Sequence, residues 1–277
     1  MLLRSAYTAF LIVLMAFSIS GCAKPGAEEL TGPAPLGPNA PPNSMTGIAH
    51  TEVLLFAGES AWQAEVESIE YLLYNHGVTY QQVTSAQLEL LSLDELASFK
   101  LLVFPGGDAL AITQSLSANT HAKLRTAVQD RGLSYIGFCA GAWLAFAPAP
   151  PPGRDVTYGF GIANGPILEN NYLYHQGEAF ALSRASFPNG TQRDLLWYGG
   201  PITPKILGGV IAKYPDGTPA VTQLKSGKGF VIVSGLHPTA NVFILSSLGF
   251  ESPEAIAPDF AWELFHAALE KTPLPAF

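Results

Sequence analysis

The stretch YIGFCAGAWLAF, residues 135–146, decides the fold. An apolar run of the kind that forms a buried strand ends at Cys139, and an alanine-rich run that favours a helix follows at once. Gly137 and Gly141 lie two residues before and two residues after the cysteine. This G-x-C-x-G spacing is typical of a nucleophile elbow, in which the glycines let the helix pack close to the strand. The alternative is a buried structural cysteine with glycines that serve packing alone.

An elbow would give Cys139 the environment that a reactive thiol needs. The start of the following helix offers N–H groups and the positive end of a dipole, and both stabilise a thiolate. The Ala140 N–H would point to where an oxyanion forms. We therefore predict Cys139 as a catalytic nucleophile and Ala140 as an oxyanion-hole donor.

Working outward from this stretch, buried strands and amphipathic helices alternate, which predicts an α/β fold with a parallel sheet. The predicted strands span residues 52–58, 79–84, 100–107 and 133–139, and the predicted helices span 60–77 and 117–132. Residues 206–235 predict three antiparallel strands, and 252–271 predict a closing helix that lies over the sheet. Residues 154–205 show no clear period and receive no assignment.

The N-terminus predicts a cellular address. Arg4 and the apolar run 9–19 are typical of a secretory signal, and ISGC, residues 19–22, resembles a bacterial lipobox. We predict a signal peptide over 1–21, a lipidated Cys22 opening a Pro-rich linker over 22–48, and one domain over 49–277. The alternatives are an uncleaved anchor or an ordinary secretory signal. Lipid chains on Cys22 would hold the protein on a membrane, at the periplasmic face of the outer membrane in a Gram-negative cell.

Charge and cysteine content exclude several classes. The 277 residues carry a net charge of −8 and show no basic stripe, so the sequence excludes a nucleic-acid partner. No cluster has metal-ligand spacing, and we expect neither a metal nor another cofactor. The chain has two cysteines. If Cys22 is lipidated, Cys139 is the only thiol left, and the count predicts no disulfide within the mature protein.

Three motifs, in this order, carry a family resemblance: FPGGDA at 104–109, GFCAGAW at 137–143 and GKGFVIVSGLHPTA at 227–240. Together they resemble the class I glutamine amidotransferase-like superfamily, in particular the branch found at the N-terminus of eukaryotic biotin-protein ligases and in stand-alone bacterial proteins. The resemblance implies a flavodoxin-like, mostly parallel sheet with helices on both faces and a Cys-His-Glu triad. It excludes neither an active nor an inactive site.

The resemblance also implies roles for individual residues. Cys139 matches the nucleophile, His237 matches the general base, and Gly106 and Gly107 match the loop whose N–H completes the oxyanion hole. One departure is evident, because Thr239 stands where the family has the glutamate that orients the histidine.

Two acids could replace that glutamate. Glu59 follows the first strand on the same edge as Cys139, and Asp108 lies beside the oxyanion loop. The alternative for both is an ordinary loop acid that caps a helix or faces solvent.

The sequence leaves three functions open. The first is a thiol hydrolase of amide or γ-glutamyl-type bonds, acting on an unidentified small molecule or peptide. The second is a non-catalytic binding or scaffold lipoprotein, which predicts a buried and unreactive Cys139. The third is a redox or aldehyde-handling protein, which predicts Glu59 within hydrogen-bond reach of Cys139. Biotin ligation and ATP-dependent synthesis are excluded, because the chain has no room for the domains that they require.

Overall fold

The computed structural model describes residues 51–146, 159–165, 168–251 and 255–277. Most of the described strands are short and fully buried, as their apolar sequences predict. In chain order they are β1 Val53–Phe56, β2 Tyr80–Val83, β3 Leu101–Phe104, β4 Ser134–Phe138, β5 Glu169–Asn170, β6 Ala181–Ser186, β7 Gln192–Trp197, β8 Pro201–Ile202, β9 Val210–Lys213, β10 Pro219–Ser226 and β11 Gly229–Ser234.

Nine of these strands form one mixed sheet in the order β2-β1-β3-β4-β11-β10-β9-β6-β7. The pairs from β2 to β11 are parallel, and the pairs from β11 to β7 are antiparallel. The parallel part has the strand order 2-1-3-4-5 of flavodoxin-like folds. The predicted α/β, flavodoxin-like, mostly parallel core with an antiparallel extension is therefore confirmed. The strands β5 and β8 form a separate two-stranded sheet.

Helices fill the connections between the strands. They are α1 Gln63–Asn75, α2 Ser85–Leu90, α3 Leu93–Ser98, α4 Ala109–Gln114, α5 Ala118–Gln129, α6 Ala140–Leu144, α7 Tyr172–His175, α8 Val242–Ser247 and α9 Pro258–Glu270. The chain moves outward from β1 to β2 and then back across to β3. Right-handed crossovers therefore place α1 on one face of the sheet and α2, α3 and α5 on the other.

This topology determines where a site can form. The strands β1, β3, β4 and β11 run parallel, so their carboxyl ends lie along one edge of the sheet. Open α/β sheets bind their ligands at that edge. The segments that leave it are residues 57–62 after β1, 105–108 after β3, Cys139 after β4 and 235–241 after β11.

The described part of the chain contains no helix that is both long enough and apolar enough to cross a membrane. The predicted signal peptide, Cys22 and the linker lie outside the described residues.

Candidate active site

Cys139 occupies a sharp turn between β4 and α6. Its φ of 46° and ψ of −100° are unusual for a residue with a side chain. The glycines around it are required by close packing: a Cβ on Gly137 would lie 2.3 Å from the Gly141 carbonyl oxygen, and a Cβ on Gly141 would lie 2.2 Å from the Phe104 carbonyl oxygen. The elbow predicted from the G-x-C-x-G spacing is therefore present.

The Cys139 side chain is fully buried. Its Sγ lies 3.1 Å from the carbonyl oxygen of Tyr198, in the loop that leaves β7. The cysteine count predicted no disulfide, yet Cys139 is disulfide-bonded in the structure. The chain's other cysteine, Cys22, lies outside the described residues. The thiol chemistry considered below is therefore that of the reduced protein.

His237 follows β11 on the same edge of the sheet. Its backbone N–H donates to the Leu196 carbonyl oxygen, which ties the loop to β7. The ring is 1% exposed, and its Nδ1 lies 2.8 Å from Glu65 Oε1. The Nε2 atom is buried and has no hydrogen-bond partner within the described part of the chain. A carboxylate can only accept, so Nδ1 carries the proton and Nε2 is left as the base.

Glu65 supplies the acid that the family pattern lacks at Thr239. It lies in the first turn of α1 and is fully buried. Its Oε1 accepts from Thr239 Oγ1 at 2.7 Å as well as from His237, and its Oε2 accepts from the Gly106 N–H at 2.6 Å. Burial by itself would raise the pKa of Glu65. The attraction of His237 and the three hydrogen bonds outweigh it and hold the pKa below its ordinary value of 4.5.

The three side chains converge beside Gly106. A Cβ placed on this glycine would lie 2.8 Å from His237 Cε1, 3.1 Å from Glu65 Oε2 and 3.6 Å from Cys139 Cβ. Only a residue without a side chain fits between them. The structure thus brings together the predicted Cys139 and His237 and adds Glu65, which the sequence interpretation missed.

The predicted oxyanion donors need one correction. The Gly106 N–H was expected to contribute to the hole, but it donates to Glu65 instead. Gly107 and Ala140 are compatible with the prediction. Gly107 has a φ of 143° and pairs with Ala61, and Ala140 opens α6 directly after the cysteine.

The three auxiliary residues do not act as the sequence predicted. Glu59 is exposed and has no hydrogen bond to Cys139 among the described contacts, so it neither replaces the acid nor tunes the thiol. Asp108 caps α4, because its Oδ1 accepts from the N–H groups of Leu110 and Ala111 at 3.0 Å each. The Thr239 hydroxyl donates to Glu65 rather than contacting His237.

A cavity of about 230 Å³ opens above His237. Its walls include two aromatic rings in contact, since Trp62 lies edge-on to Tyr198 with ring centroids 5.4 Å apart. Trp62 also lies edge-on to His237 at 5.1 Å. The residues that line the cavity are Ser60, Ala61, Trp62, Gly107, Asp108, Tyr198 and His237. Cys139 is not among them, because the Tyr198 backbone separates its sulfur from the cavity.

No group of three or more metal-ligating side chains occurs within the described ranges of the chain.

Comparison with protein families supports the resemblance that the motifs indicated. Residues 51–149 match the family described as biotin-protein ligase, N terminal. The match covers the elbow, Glu65 and the Gly106–Gly107 loop, and it ends before His237. The predicted resemblance is thereby confirmed for this part of the chain. No curated protein matches the sequence.

Several solved structures share parts of the architecture. An exo-beta-1,4-mannosidase from Opitutaceae bacterium strain TAV5 is 13% identical with a TM-score of 0.42, over 79% of this chain and 36% of that one. A cytoplasmic protein from Salmonella typhimurium is 12% identical with a TM-score of 0.45, over 77% and 98% of the two chains. Drosophila melanogaster DJ-1beta is 16% identical with a TM-score of 0.31, over 78% and 97%. This chain thus spans about a third of the mannosidase.

Proposed function

We propose that the reduced protein is a cysteine-dependent hydrolase of amide or γ-glutamyl-type bonds. Cys139 is its nucleophile, His237 its general base and Glu65 the acid that orients the histidine. The observation that carries this proposal is the buried hydrogen bond between His237 Nδ1 and Glu65 Oε1, placed beside a cysteine elbow. A thiol, an imidazole and a carboxylate in this order are the parts that thiol acyl transfer requires.

In the proposed reaction, His237 Nε2 takes the proton from Cys139 Sγ, and the thiolate adds to the carbonyl carbon of the substrate. The N–H groups of Gly107 and Ala140 stabilise the resulting oxyanion. His237 then gives its proton to the leaving amine, and a thioester remains on the sulfur. Water activated by His237 hydrolyses the thioester, which releases the acid and restores the thiol.

The substrate has to displace the backbone of Tyr198 before it can meet the sulfur. The cavity reaches His237, whereas Cys139 lies behind the Tyr198 carbonyl. A small movement of the loop after β7 would join the cavity to Cys139. Loop movements of this kind are common in enzymes and complete the catalytic arrangement only when substrate binds.

The test measures hydrolysis by the reduced full-length protein. L-glutamine and γ-glutamyl-p-nitroanilide serve as probes, with ammonia and p-nitroaniline as products. We expect turnover that is lost in Cys139→Ser and His237→Asn and retained in His121→Asn, which changes a histidine of α5. In parallel, iodoacetamide should label Cys139 with an apparent pKa below the free-thiol value of about 8.5, and His237→Ala should raise that pKa. Identical labelling of Cys139 in the parent protein and in His237→Ala would overturn the proposal.

A second candidate function is a non-catalytic binding protein that uses the same cavity. The complete burial of Cys139 favours it, because an inert thiol needs no access to solvent. This candidate predicts that Cys139 labels only in denaturant and that neither probe is hydrolysed. The redox candidate loses its main support, because Glu59 does not contact the cysteine.

For the location, we propose lipid anchoring at Cys22, with residues 22–48 as the tether to the membrane. The support is the sequence pattern at 9–22. In a bacterial host, the parent protein should fractionate with membranes and incorporate labelled fatty acid. Cys22→Ser should lose the label and leave the membrane fraction, whereas Ser20→Ala should keep both. A Cys22→Ser protein that still carries fatty acid would contradict this location.

A further inference from the structure

The charge around the cavity points to a particular class of ligand. Among the described residues, Asp108 is the only Lys, Arg, Asp or Glu side chain that lines the cavity. Its Oδ1 serves the cap of α4, which leaves Oδ2 outside the cap. These walls therefore offer a negative charge to a bound molecule and no cation to pair with a carboxylate.

The aromatic walls favour the same sign. Trp62 and Tyr198 present π-systems beside Asp108, and an ammonium group near an aromatic face is attracted by the ring quadrupole. The Nε2 of His237, which is almost completely buried and unpartnered among the described atoms, also lines this cavity and gives a polar ligand a further contact.

The chain around the cavity strengthens the field. Residues 51–99, which supply Ser60, Ala61 and Trp62 to the cavity, contain eight Asp or Glu residues and no Lys or Arg. A cleft with one sign of charge raises the local concentration of oppositely charged ligands. The volume of about 230 Å³ lies below the range of about 300–1,000 Å³ of sites for drug-sized ligands, so a small ligand fits best.

We propose that the cavity selects small substrates whose acyl group carries a positively charged ammonium, with Asp108 as the countercharge and Trp62 and Tyr198 as the aromatic wall. Asp108 is thus a specificity-determining residue. A γ-glutamyl donor would be held by its ammonium group, and its carboxylate would find no cationic partner among the described lining residues. This inference names the substrate class of the site proposed above and rests on that proposed function.

The test compares three thiol reagents that differ in charge. They are 2-aminoethyl, 2-hydroxyethyl and 2-sulfonatoethyl methanethiosulfonate, a cation, a neutral molecule and an anion. In each case the Cys139 thiolate attacks the sulfenyl sulfur, a mixed disulfide forms and methanesulfinate leaves. The full chain with Cys22→Ser is reduced and freed of reductant, and the rate at Cys139 is followed by mass spectrometry. Dividing by the rate in the unfolded chain removes the intrinsic reactivity of each reagent.

We expect the normalised rate to be highest for the cation and lowest for the anion. Asp108→Asn should lower the cation-to-anion ratio by about tenfold, equivalent to about 1.4 kcal/mol. Asn keeps an acceptor for the α4 cap, and Asp108→Ser is a second neutral variant that also keeps one. Asp130→Asn is the matched control, because Asp130 is exposed at the end of α5 that leads into β4, on the opposite edge of the sheet. Its ratio should equal that of the parent.

A ratio near one in the parent, or a ratio unchanged in both Asp108 variants, would overturn the inference. The result is independent of turnover. Charge selectivity without hydrolysis of any probe would retain the inference for a binding site and reject the proposed hydrolase. Hydrolysis without charge selectivity would do the reverse.

Discussion

Glu65 orients His237 from 172 positions earlier in the chain, with Oε1 lying 2.8 Å from Nδ1. The acid comes from the first turn of α1, and the histidine comes from the loop after β11. Both segments leave the carboxyl edge of the sheet, so the fold closes the pair without any local sequence motif. The pair is completely buried, and its remaining oxygen is held by the Gly106 N–H, which leaves the carboxylate little freedom to move.

Glu65→Gln should abolish most of the proposed hydrolysis. The amide keeps the shape of the side chain but removes the charge that stabilises an imidazolium at His237. In a serine protease triad, replacing the orienting acid by its amide lowers turnover by about 10⁴, and the greater nucleophilicity of a thiol predicts a loss of about 10² to 10⁴ here. Steady-state kinetics of the reduced protein measure this loss as a fall in kcat.

Glu67→Gln provides the control for that experiment. Glu67 lies on the same helix, two residues away, and is exposed to solvent. Its neutralisation should leave kcat within about twofold of the parent, because an exposed charge is screened by solvent. Equal losses in the two variants would show that Glu65 acts through the net charge of α1 rather than through His237.

The lowered pKa of Glu65 predicts a pH-dependent contribution to stability. In the unfolded chain this carboxyl takes up a proton near pH 4.5, while in the folded protein it does so only at lower pH. Between these values the unfolded state binds more protons, so the contribution of Glu65 is full above pH 4.5 and declines as the pH falls.

Urea unfolding of the parent and of Glu65→Gln from about pH 7 to about pH 3.5 tests this sign. The difference in the free energy of unfolding between the two proteins should be constant at the upper end and should shrink in acid. A difference that grows as the pH falls would show that the folded protein raises the pKa of Glu65 instead.

The parallel part of the fold was predictable because each strand is buried on both faces and reads as a short apolar run. The runs at 52–58, 100–107 and 133–139 contain β1, β3 and β4. The two helices α2 and α3 were missed, although each begins with a capping box, Thr84 with Gln87 and Ser92 with Glu95. Residues 154–205 were left unassigned, because the β6–β7 hairpin alternates too weakly to be recognised.

The site was half predictable, for a physical reason. Cys139 and His237 lie in local patterns, a glycine-flanked turn and a strand end, that a sequence displays directly. Glu65 does not, and its only signal is that an acid stands on the buried stripe of α1, four residues before Ile69 and seven before Leu72. A buried acid needs partners. Those partners come from distant segments, so the sequence alone could not name them.

Thr239 should be needed for stability but should not be replaceable by the family's glutamate. Thr239→Val keeps the volume and removes the donor to Glu65, so we expect a loss of about 1–3 kcal/mol in the free energy of unfolding. Thr239→Glu would put a second carboxylate against Glu65 in a buried position, where two like charges repel strongly. It should destabilise the protein further and fail to raise hydrolysis.

The measurement for both Thr239 variants is urea unfolding together with the rate of probe hydrolysis. Ser68→Ala is a useful comparison, because Ser68 donates to the Thr239 carbonyl oxygen and not to the acid. It should lower stability without a large change in kcat. A Thr239→Glu protein that is stable and more active than the parent would show that the acid at position 239 can take over the role of Glu65.

The backbone at Cys139 predicts an inverted order of stability for two substitutions. Cys139→Ala and Cys139→Gly both remove the sulfur, so they differ only in whether a Cβ occupies a conformation with a φ of 46°. Since a side chain is strained there, the Gly variant should unfold with a free energy about 1 kcal/mol higher than the Ala variant. At Ala142, inside α6, Ala→Gly should instead cost about 1 kcal/mol. Urea unfolding of the three variants gives the comparison. If Cys139→Gly were less stable than Cys139→Ala, the turn would hold no strain, and the elbow would have to adopt a different backbone conformation in solution.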